Sequence, residues 1–446
     1  MRVLLHTFGC KANQYDTEVV RQQLEAAGCT VVDDAADADA AVVNSCTVTH
    51  VGEAKMRGYV RRLSRQRPGI RTVVMGCAAA LDEGRIAALP SVTSVVGGSD
   101  PDAVVRALGV APAPAGPLAG FRGSARAWLK VQDGCDEHCT FCATTLARGD
   151  NRSVDPEAIV AEALALAERH VEIVLTGVHI GTYGQDRRTD AQTHGRTGAR
   201  GHRGTGAPGH RGTGAATLGK LAMLLVERVP VVRFRLSSVE ATELCDDLLR
   251  LMAEQPDRLA PHFHAPLQSG SDRVLRRMGR HWYTADSYRR RIEFIAERVQ
   301  PFGLGADVIV GFPGETDQDH RDTVALVEAL PFTSLHVFPY SPRQGTAAPR
   351  FGAPPPSDVV RERGAELRAL AARKAAAHRV ARAGGLADCV LEGRQGGVRE
   401  ALTGDYLAVQ LPAEAPWVLG RSRVTARLAM DGGRLVGEPV VLEAVA

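Results

Sequence analysis

An α/β fold is predicted: an N-terminal doubly wound parallel sheet, a central and partial β/α barrel, and a small C-terminal β-barrel. Three observations carry this. Short apolar runs alternate with helical stretches through residues 1–110 and again through 126–350; a Pro-, Gly- and Ala-rich linker parts the two series; short β-like runs with glycine turns close the chain. With 446 residues, 44% of them hydrophobic, the chain can bury the cores of two or three domains.

In the first unit "RVLLHTF", "AAVVNS", "TVVMG" and "VTSVVGG" read as strands, with helical stretches at 17–27 and 53–66 between them. "VAPAPAGPLAGFRGSA" follows, so the linker is set at 111–125. The strand candidates of the second unit are "AWLKVQD", "EIVLTGV", "RFRLSSV", "HFHAPLQ", "GADVIVGF" and "SLHVFPYS". Six strands with crossovers fit a closed or a partial barrel. Residues 187–216, with the near repeat "GHRGTGAPGHRGTGA", read as a disordered insertion. Its six Arg and three His could touch RNA, but a tolerated expansion is the preferred reading. Residues 351–385 hold a linker and a basic, Ala-rich helix, and 386–446 give "ADCVLEG", "YLAVQL", "RVTARLAM" and "VVLEAV", a small barrel or sandwich.

The net charge of +3 hides 49 Arg against five Lys, a skew that codon bias explains without function. Residues 53–71 carry seven basic groups and one acid, and 343–382 nine against three; either could meet a polyanion or be a solvated helix face. No run of about 18 apolar residues suits a membrane, and "MRVLLHTFGC" is too quickly polar for a signal peptide. A cytoplasmic protein is expected, whose nine cysteines serve as thiolates for metal or catalysis rather than as disulfides.

Cys135, Cys139 and Cys142 have CxxxCxxC spacing just after the first strand of the second unit. Structural zinc is tetrahedral and needs a fourth ligand, for which only His138 is local and badly placed. A [4Fe–4S] cluster held by three thiolates instead leaves one iron open, able to chelate S-adenosylmethionine (SAM). This spacing resembles the radical SAM superfamily. Cys10, Cys46 and Cys77 lie far apart, yet each ends a strand-like run. At the carboxyl edge of a parallel sheet they would converge on a second three-thiolate cluster. Cys29, Cys245 and Cys389 are read as small hydrophobes.

With both sets in place the chain resembles the radical SAM methylthiotransferases over nearly its whole length. That resemblance implies an N-terminal domain with an auxiliary [4Fe–4S] cluster, a radical SAM barrel and a C-terminal TRAM domain that contacts RNA. "TFGCKANQYDTE" (7–18) and "NSCTVT" (44–49) are similar to the branch acting on N6-threonylcarbamoyladenosine in tRNA. Lys11, Asn13, Gln14 and Tyr15 therefore carry the substrate assignment, by lining the pocket or by packing. Further similar stretches are "LKVQDGC", "EIVLTGVHIGTYG", "RLSSVEATE", "LQSGSDRVLRRMGR", "DVIVGFPGET" and "HVFPYSPRQGTAA", each at a strand end and so at the barrel mouth.

By this resemblance Thr176 and Gly177 hold the methionyl amino group, Ser238, Glu240, Gln268 and Ser269 are candidates for carboxylate and ribose, and Gly311 lets backbone approach adenine. Each Ser and Gly could equally serve a strand-end turn. Arg343 could clamp a carboxylate or phosphate. The chain departs from the family at "ATTLARG" (143–149), where an aliphatic pair, Pro and an aromatic are usual, and at His179, where Asn is usual. Residues 385–446 carry six Arg against eight acids, which shifts the expected RNA contact to the two basic stretches.

The implied reaction replaces C2–H of the adenine at position 37, in the anticodon loop, by a methylthio group, using two [4Fe–4S] clusters, SAM and an electron donor such as flavodoxin or ferredoxin. Two rivals remain: the same chemistry on isopentenyladenosine, and a zinc-stabilised RNA-binding protein without catalysis.

Overall fold

The structure, a computed structural model, describes residues 1–47, 49–114, 116–186, 217–395, 398–413 and 422–440. The expected insertion at 187–216 and all but the first residue of "VVLEAV" lie outside them.

The N-terminal unit runs β1 (Arg2–Thr7), α1 (Lys11–Ala26), β2 (Thr30–Val32), β3 (Ala40–Ser45), α2 (His50–Gln66), β4 (Arg71–Gly76), α3 (Cys77–Ala80), β5 (Val92–Gly97) and α4 (Pro101–Ala107). Its five strands pair in parallel in the order β2-β1-β3-β4-β5. Alternate residues leave opposite faces. Leu4, Ala41, Val43 and Val74 pack with Met56, Val60 and Leu63 of α2. Val3, Ala40, Val42 and Val73 pack with Val20 and Leu24 of α1 and with Val104 and Val105 of α4. A sheet buried on both faces explains the near-continuous apolar runs.

Helix α1 starts six residues before the expected 17, because Asn13, Asp16 and Thr17 are buried through hydrogen bonds rather than apolar contact. Apolar periodicity is blind to such a turn. Helix α2 starts at His50, capped by the Thr49 hydroxyl, which accepts from Gly52 N at 3.1 Å.

The central unit comprises β6 (Ala127–Lys130), β7 (Gln132–Asp133), α5 (Thr144–Arg148), β8 (Arg152–Ser153), α6 (Pro156–Ala167), β9 (Glu172–Thr176), α7 (Leu218–Arg228), β10 (Arg233–Leu236), α8 (Asp246–Glu254), β11 (His262–His264), α9 (Asp272–Arg277), α10 (Ala285–Ala296), β12 (Gly303–Val310), α11 (Asp317–Ala329) and β13 (Ser334–Pro339). Two parallel sheets, β6-β9-β10 and β11-β12-β13, are stitched by the bridges Phe234–Leu259 and Ser238–His264. The result is an open arc of six strands with β6 and β13 as its edges. The partial barrel is thus the form adopted, with one large core beneath it.

Helix α12 (Ser357–Arg382) leads to β14 (Leu386–Gln395), β15 (Val398–Thr403), β16 (Ala408–Leu411), β17 (Arg423–Asp431) and β18 (Arg434–Pro439), a closed barrel in the order β14-β15-β16-β18-β17. Strands β15 and β18 escaped the sequence reading, because charged residues and glycine interrupt their apolar patterns. The last described strand is 434–439, ahead of "VVLEAV".

This barrel docks on the central unit through buried charge. Glu172, fully buried, accepts from Arg233 Nε at 2.6 Å and Arg235 Nε at 2.8 Å. Arg233 reaches Asp388, Arg235 donates to the Thr403 and Gly404 carbonyls, and Tyr406 stacks on His262 with centroids 4.3 Å apart. Asp388 and Asp405 also bind Arg423 and Arg382. The net acidity of the barrel is therefore partly consumed by docking.

Candidate functional site

The register of the N-terminal sheet brings its three cysteines to one edge. Thr7 pairs with Asn44 and Asn44 with Met75, so Cys46 and Cys77 follow β3 and β4 at the same level, while Cys10 caps α1 beside them. Two glycines make this close approach possible. Gly9 has φ +124°, and a Cβ there would stand 3.0 Å from the Cβ of Cys46; at Gly76, φ +95°, a Cβ would stand 2.2 Å from Asn44 Oδ1.

Asn13 organises the set. Its amide donates to Asn44 Oδ1 at 3.0 Å and Ser45 O at 2.9 Å, while its Oδ1 faces the Cys10 and Cys77 sulfurs at 3.6 and 3.9 Å. Burial pushes the Cys77 thiol up to about 11 even with Arg148 beside it.

Arg148, at the end of α5, is almost wholly buried and spends all five of its N–H groups. Nε donates to Cys77 Sγ at 3.2 Å, Nη1 to both oxygens of Asp133 at 2.9 and 3.1 Å, and Nη2 to Asn13 Oδ1 and Asp16 Oδ2, each at 2.8 Å. Burial works against the Asp133 carboxylate, but Lys130 and Arg148 hold it well below the usual carboxylate range. Sequence reasoning missed this hub. The "ARG" of the departing "ATTLARG" stretch was its only trace.

The second cysteine set sits on the loop between β7 and α5. Gly134, φ +72°, begins it, since a Cβ there would lie 1.9 Å from Asp150 O. Thr145 Oγ1 donates to the Cys135 and Glu137 carbonyls at 3.1 and 3.2 Å, and Thr140 Oγ1 to Arg277 O at 2.9 Å, which ties the loop to α5 and α9. Cationic groups face the sulfurs: Arg280 Nη1 lies 3.6 Å from Cys139 Sγ, and His179 Nδ1 lies 3.7 Å from Cys135 Sγ. Burial pushes the Cys139 thiol up to about 12 against the pull of Arg280. His179, opposed by burial, is nevertheless raised to about 11 by Cys135 and by Glu243, 2.8 Å from its Nε2.

The other expected site residues divide. Thr176 and Gly177 end β9 against Gln132, whose Oε1 accepts from Val178 N and His179 N at 3.0 and 2.8 Å. Glu240 pairs with Arg280, and its Oε2 is buried with no hydrogen-bond partner among the described residues. Gln268 lines the same cavity as Cys142, whereas Ser238 is exposed nearby at the end of β10. Ser269 is buried against Thr323 and Ser271. Gly311 gives its N–H to Glu315 at 2.7 Å, and a Cβ there would meet Val360 of α12 at 2.5 Å, so helix packing accounts for this glycine. In α1, Tyr15 donates to Glu162 of α6 at 3.2 Å, Lys11 is half-buried near Tyr406 and Arg126, and Gln14 is exposed.

A cavity of about 150 Å³ lies between the two sets, lined by Thr47 and Thr49 after Cys46, by Cys142 and Gln268, and by Tyr340 and Arg343. Among the described residues, the only His, Cys, Asp and Glu ligand atoms gathered in threes within 4.8 Å are those of His264, Asp307 and His336. In neither cysteine set, then, do all three sulfurs lie within 4.8 Å of one another, whereas bonds of 2.3 Å to one tetrahedral zinc would hold them at roughly 3.8 Å. Two sets of three such thiolates fit clusters of several irons.

Residues 2–98 match the family described as Uncharacterized protein family UPF0004, and residues 129–327 match the Radical SAM superfamily. The threonylcarbamoyladenosine tRNA methylthiotransferase MtaB of Bacillus subtilis (strain 168) is 35% identical over 82% of this chain and 80% of its own length. Its counterpart from Thermotoga maritima is 34% identical, covering 81% and 80%. The tRNA-2-methylthio-N(6)-dimethylallyladenosine synthase of Paracoccus denitrificans is 33% identical, covering 78% and 76%.

Proposed function

The chain belongs to the radical SAM tRNA methylthiotransferases, and from that premise we propose that it converts N6-threonylcarbamoyladenosine at position 37 of tRNA to its 2-methylthio derivative. One observation supports this most directly: the cavity that touches Cys142 is also walled by the residues that follow Cys46. A base inserted there would lie against Cys142 of one set and against Thr47 and Thr49, which follow Cys46 of the other.

Cys135, Cys139 and Cys142 would hold one [4Fe–4S] cluster with an iron left for SAM, and Cys10, Cys46 and Cys77 a second. Together they would supply reductive radical chemistry at one set and sulfur for transfer at the other. The C2–H bond of adenine yields to neither acid nor base, so such chemistry is needed. The chain's own groups do the rest. Arg148 ties the Cys77 edge to Asp133 and α5, the two ends of the loop that carries the other set. Arg280 sets positive charge against Cys139, whose thiolate burial disfavours, and His179 places a ring nitrogen beside the Cys135 sulfur.

The adenine must leave its stack to enter, which an anticodon loop permits more readily than a duplex. Loop phosphates would meet the exposed face of α2, where Arg62 lies 5.1 Å over the ring of Tyr59. No helix among the described residues is long and apolar enough to cross a membrane; the proposed setting is the cytoplasm, with a flavodoxin or ferredoxin as electron donor.

Nucleoside mass spectrometry of tRNA from cells with and without the gene tests this. Loss of only the methylthio form of threonylcarbamoyladenosine is expected. Loss of the dimethylallyl counterpart would overturn the substrate, and no change would overturn the reaction.

A further inference from the structure

Arg343 follows β13 and is buried, with 6% of its side chain exposed, in the wall of the cavity beside Cys142. A buried guanidinium ordinarily uses its donors, because a desolvated cation without partners is costly. Arg148 shows that rule. Arg343 breaks it: Nε and Nη2 are both buried without a hydrogen-bond partner among the described residues. Its Nη1 reaches Glu53 only at 3.4 Å, and Glu53 is engaged more closely by Arg57. In the wall of the same cavity the hydroxyl of Tyr340 is also buried with no partner among the described residues.

The vacant pair has a specific shape. Nε–H and Nη2–H are parallel and form the side-on fork of a guanidinium, which matches the two oxygens of a carboxylate. With Glu53 near Nη1 and the Cys46 sulfur also within the guanidinium's field, a singly charged group suits the vacant fork better than a doubly charged phosphate. Resting on the function proposed above, we infer that the side-on fork of Arg343 takes the carboxylate of the threonyl group, with the Tyr340 hydroxyl as a further donor. Arg343 thereby restricts the enzyme to adenines whose N6 substituent carries an acid. An uncharged alkyl group would leave the fork empty and desolvated, a penalty that works against it as a substrate.

The test uses cluster-loaded enzyme, prepared anaerobically, and two anticodon stem-loop RNAs. One carries threonylcarbamoyladenosine at position 37 and the other its carboxamide, which keeps the shape and removes the charge. The wild type should favour the acid by about 10- to 100-fold in kcat/KM, the range of one charged hydrogen-bonded contact. Arg343→Gln should bring the two substrates to within a few-fold of each other, chiefly through KM for the acid. Arg343→Lys, with charge but no fork, should fall between.

A wild type indifferent to the carboxamide, or an Arg343→Gln enzyme that keeps the full preference, would overturn the inference. So would an Arg343→Gln enzyme whose only change is a shifted cluster EPR spectrum or potential, since the fork would then serve a cluster. A dimethylallyladenosine stem-loop is run alongside. If the wild type prefers it to both others, the proposed substrate itself has failed, a result distinct from failure of the clamp.

Discussion

The guanidinium of Arg148 donates to the sulfur of Cys77 at 3.2 Å, and so the helix that follows one cysteine loop is hydrogen-bonded to a sulfur of the other set. The same side chain balances Asp16 from the first unit and Asp133 from the second. It is at once a structural tie between units and an electrostatic neighbour of the Cys77 edge.

Arg148→Gln leaves two buried carboxylates short of a cation, a loss of about 3–5 kcal/mol. Thermal unfolding should show a lower Tm. Loss of the N–H···S contact should also move the auxiliary cluster to a more negative potential, because hydrogen bonds to cluster sulfurs raise it. Redox titration followed by EPR measures this. An unchanged potential in a folded variant would reduce Arg148 to a structural tie alone.

Glu172 lies between Arg233 and Arg235, and burial, which opposes its ionised form, is outweighed by the two arginines so that it stays well below the usual carboxylate range. Glu172→Gln strands the buried Arg235, leaves Arg233 with Asp388 alone, and should cost about 3–5 kcal/mol. The defect should appear as earlier proteolysis of the C-terminal barrel, which these arginines hold in place.

Glu162 gives a pH signature. Burial raises its pKa to about 7, although the Tyr15 hydroxyl bonded to it pulls the other way. Above its unfolded value of 4.5 the native state keeps a proton that the unfolded chain has lost, so stability declines from there to about pH 7 and then levels. Glu162→Gln removes the penalty and still accepts from Tyr15. Its gain over wild type should be near zero below pH 4.5 and reach about 3 kcal/mol above pH 7, at 1.36 kcal/mol per pH unit; urea denaturation across that range checks it.

The cysteines were legible in the sequence for two different reasons. Cys135, Cys139 and Cys142 share one loop, so spacing alone reveals them. Cys10, Cys46 and Cys77 become a set only through the register of a parallel sheet, which the repeated strand-end position betrayed. Arg148, Asp16 and Asp133 were not legible, since residues 132 positions apart in sequence meet through hydrogen bonds that leave no periodic trace. The short strand β2 and the glycine-broken strand β18 were missed because pairing, rather than apolar alternation, makes them strands. At Gly311 the φ of +76° and the Val360 side chain 2.5 Å from a Cβ position already call for glycine, apart from any approach to a ligand.

The most direct test of the central claim, that two cysteine sets act on one base, is to incubate the anaerobically loaded enzyme with SAM, a reductant and a stem-loop carrying threonylcarbamoyladenosine. The nucleoside product and the iron content are then measured, for wild type and for Cys46→Ala. The account predicts the 2-methylthio product with about eight irons per chain for wild type, and no product with about four irons for the variant. Full methylthiolation by Cys46→Ala, or a wild type that holds only about four irons while turning over, would contradict it.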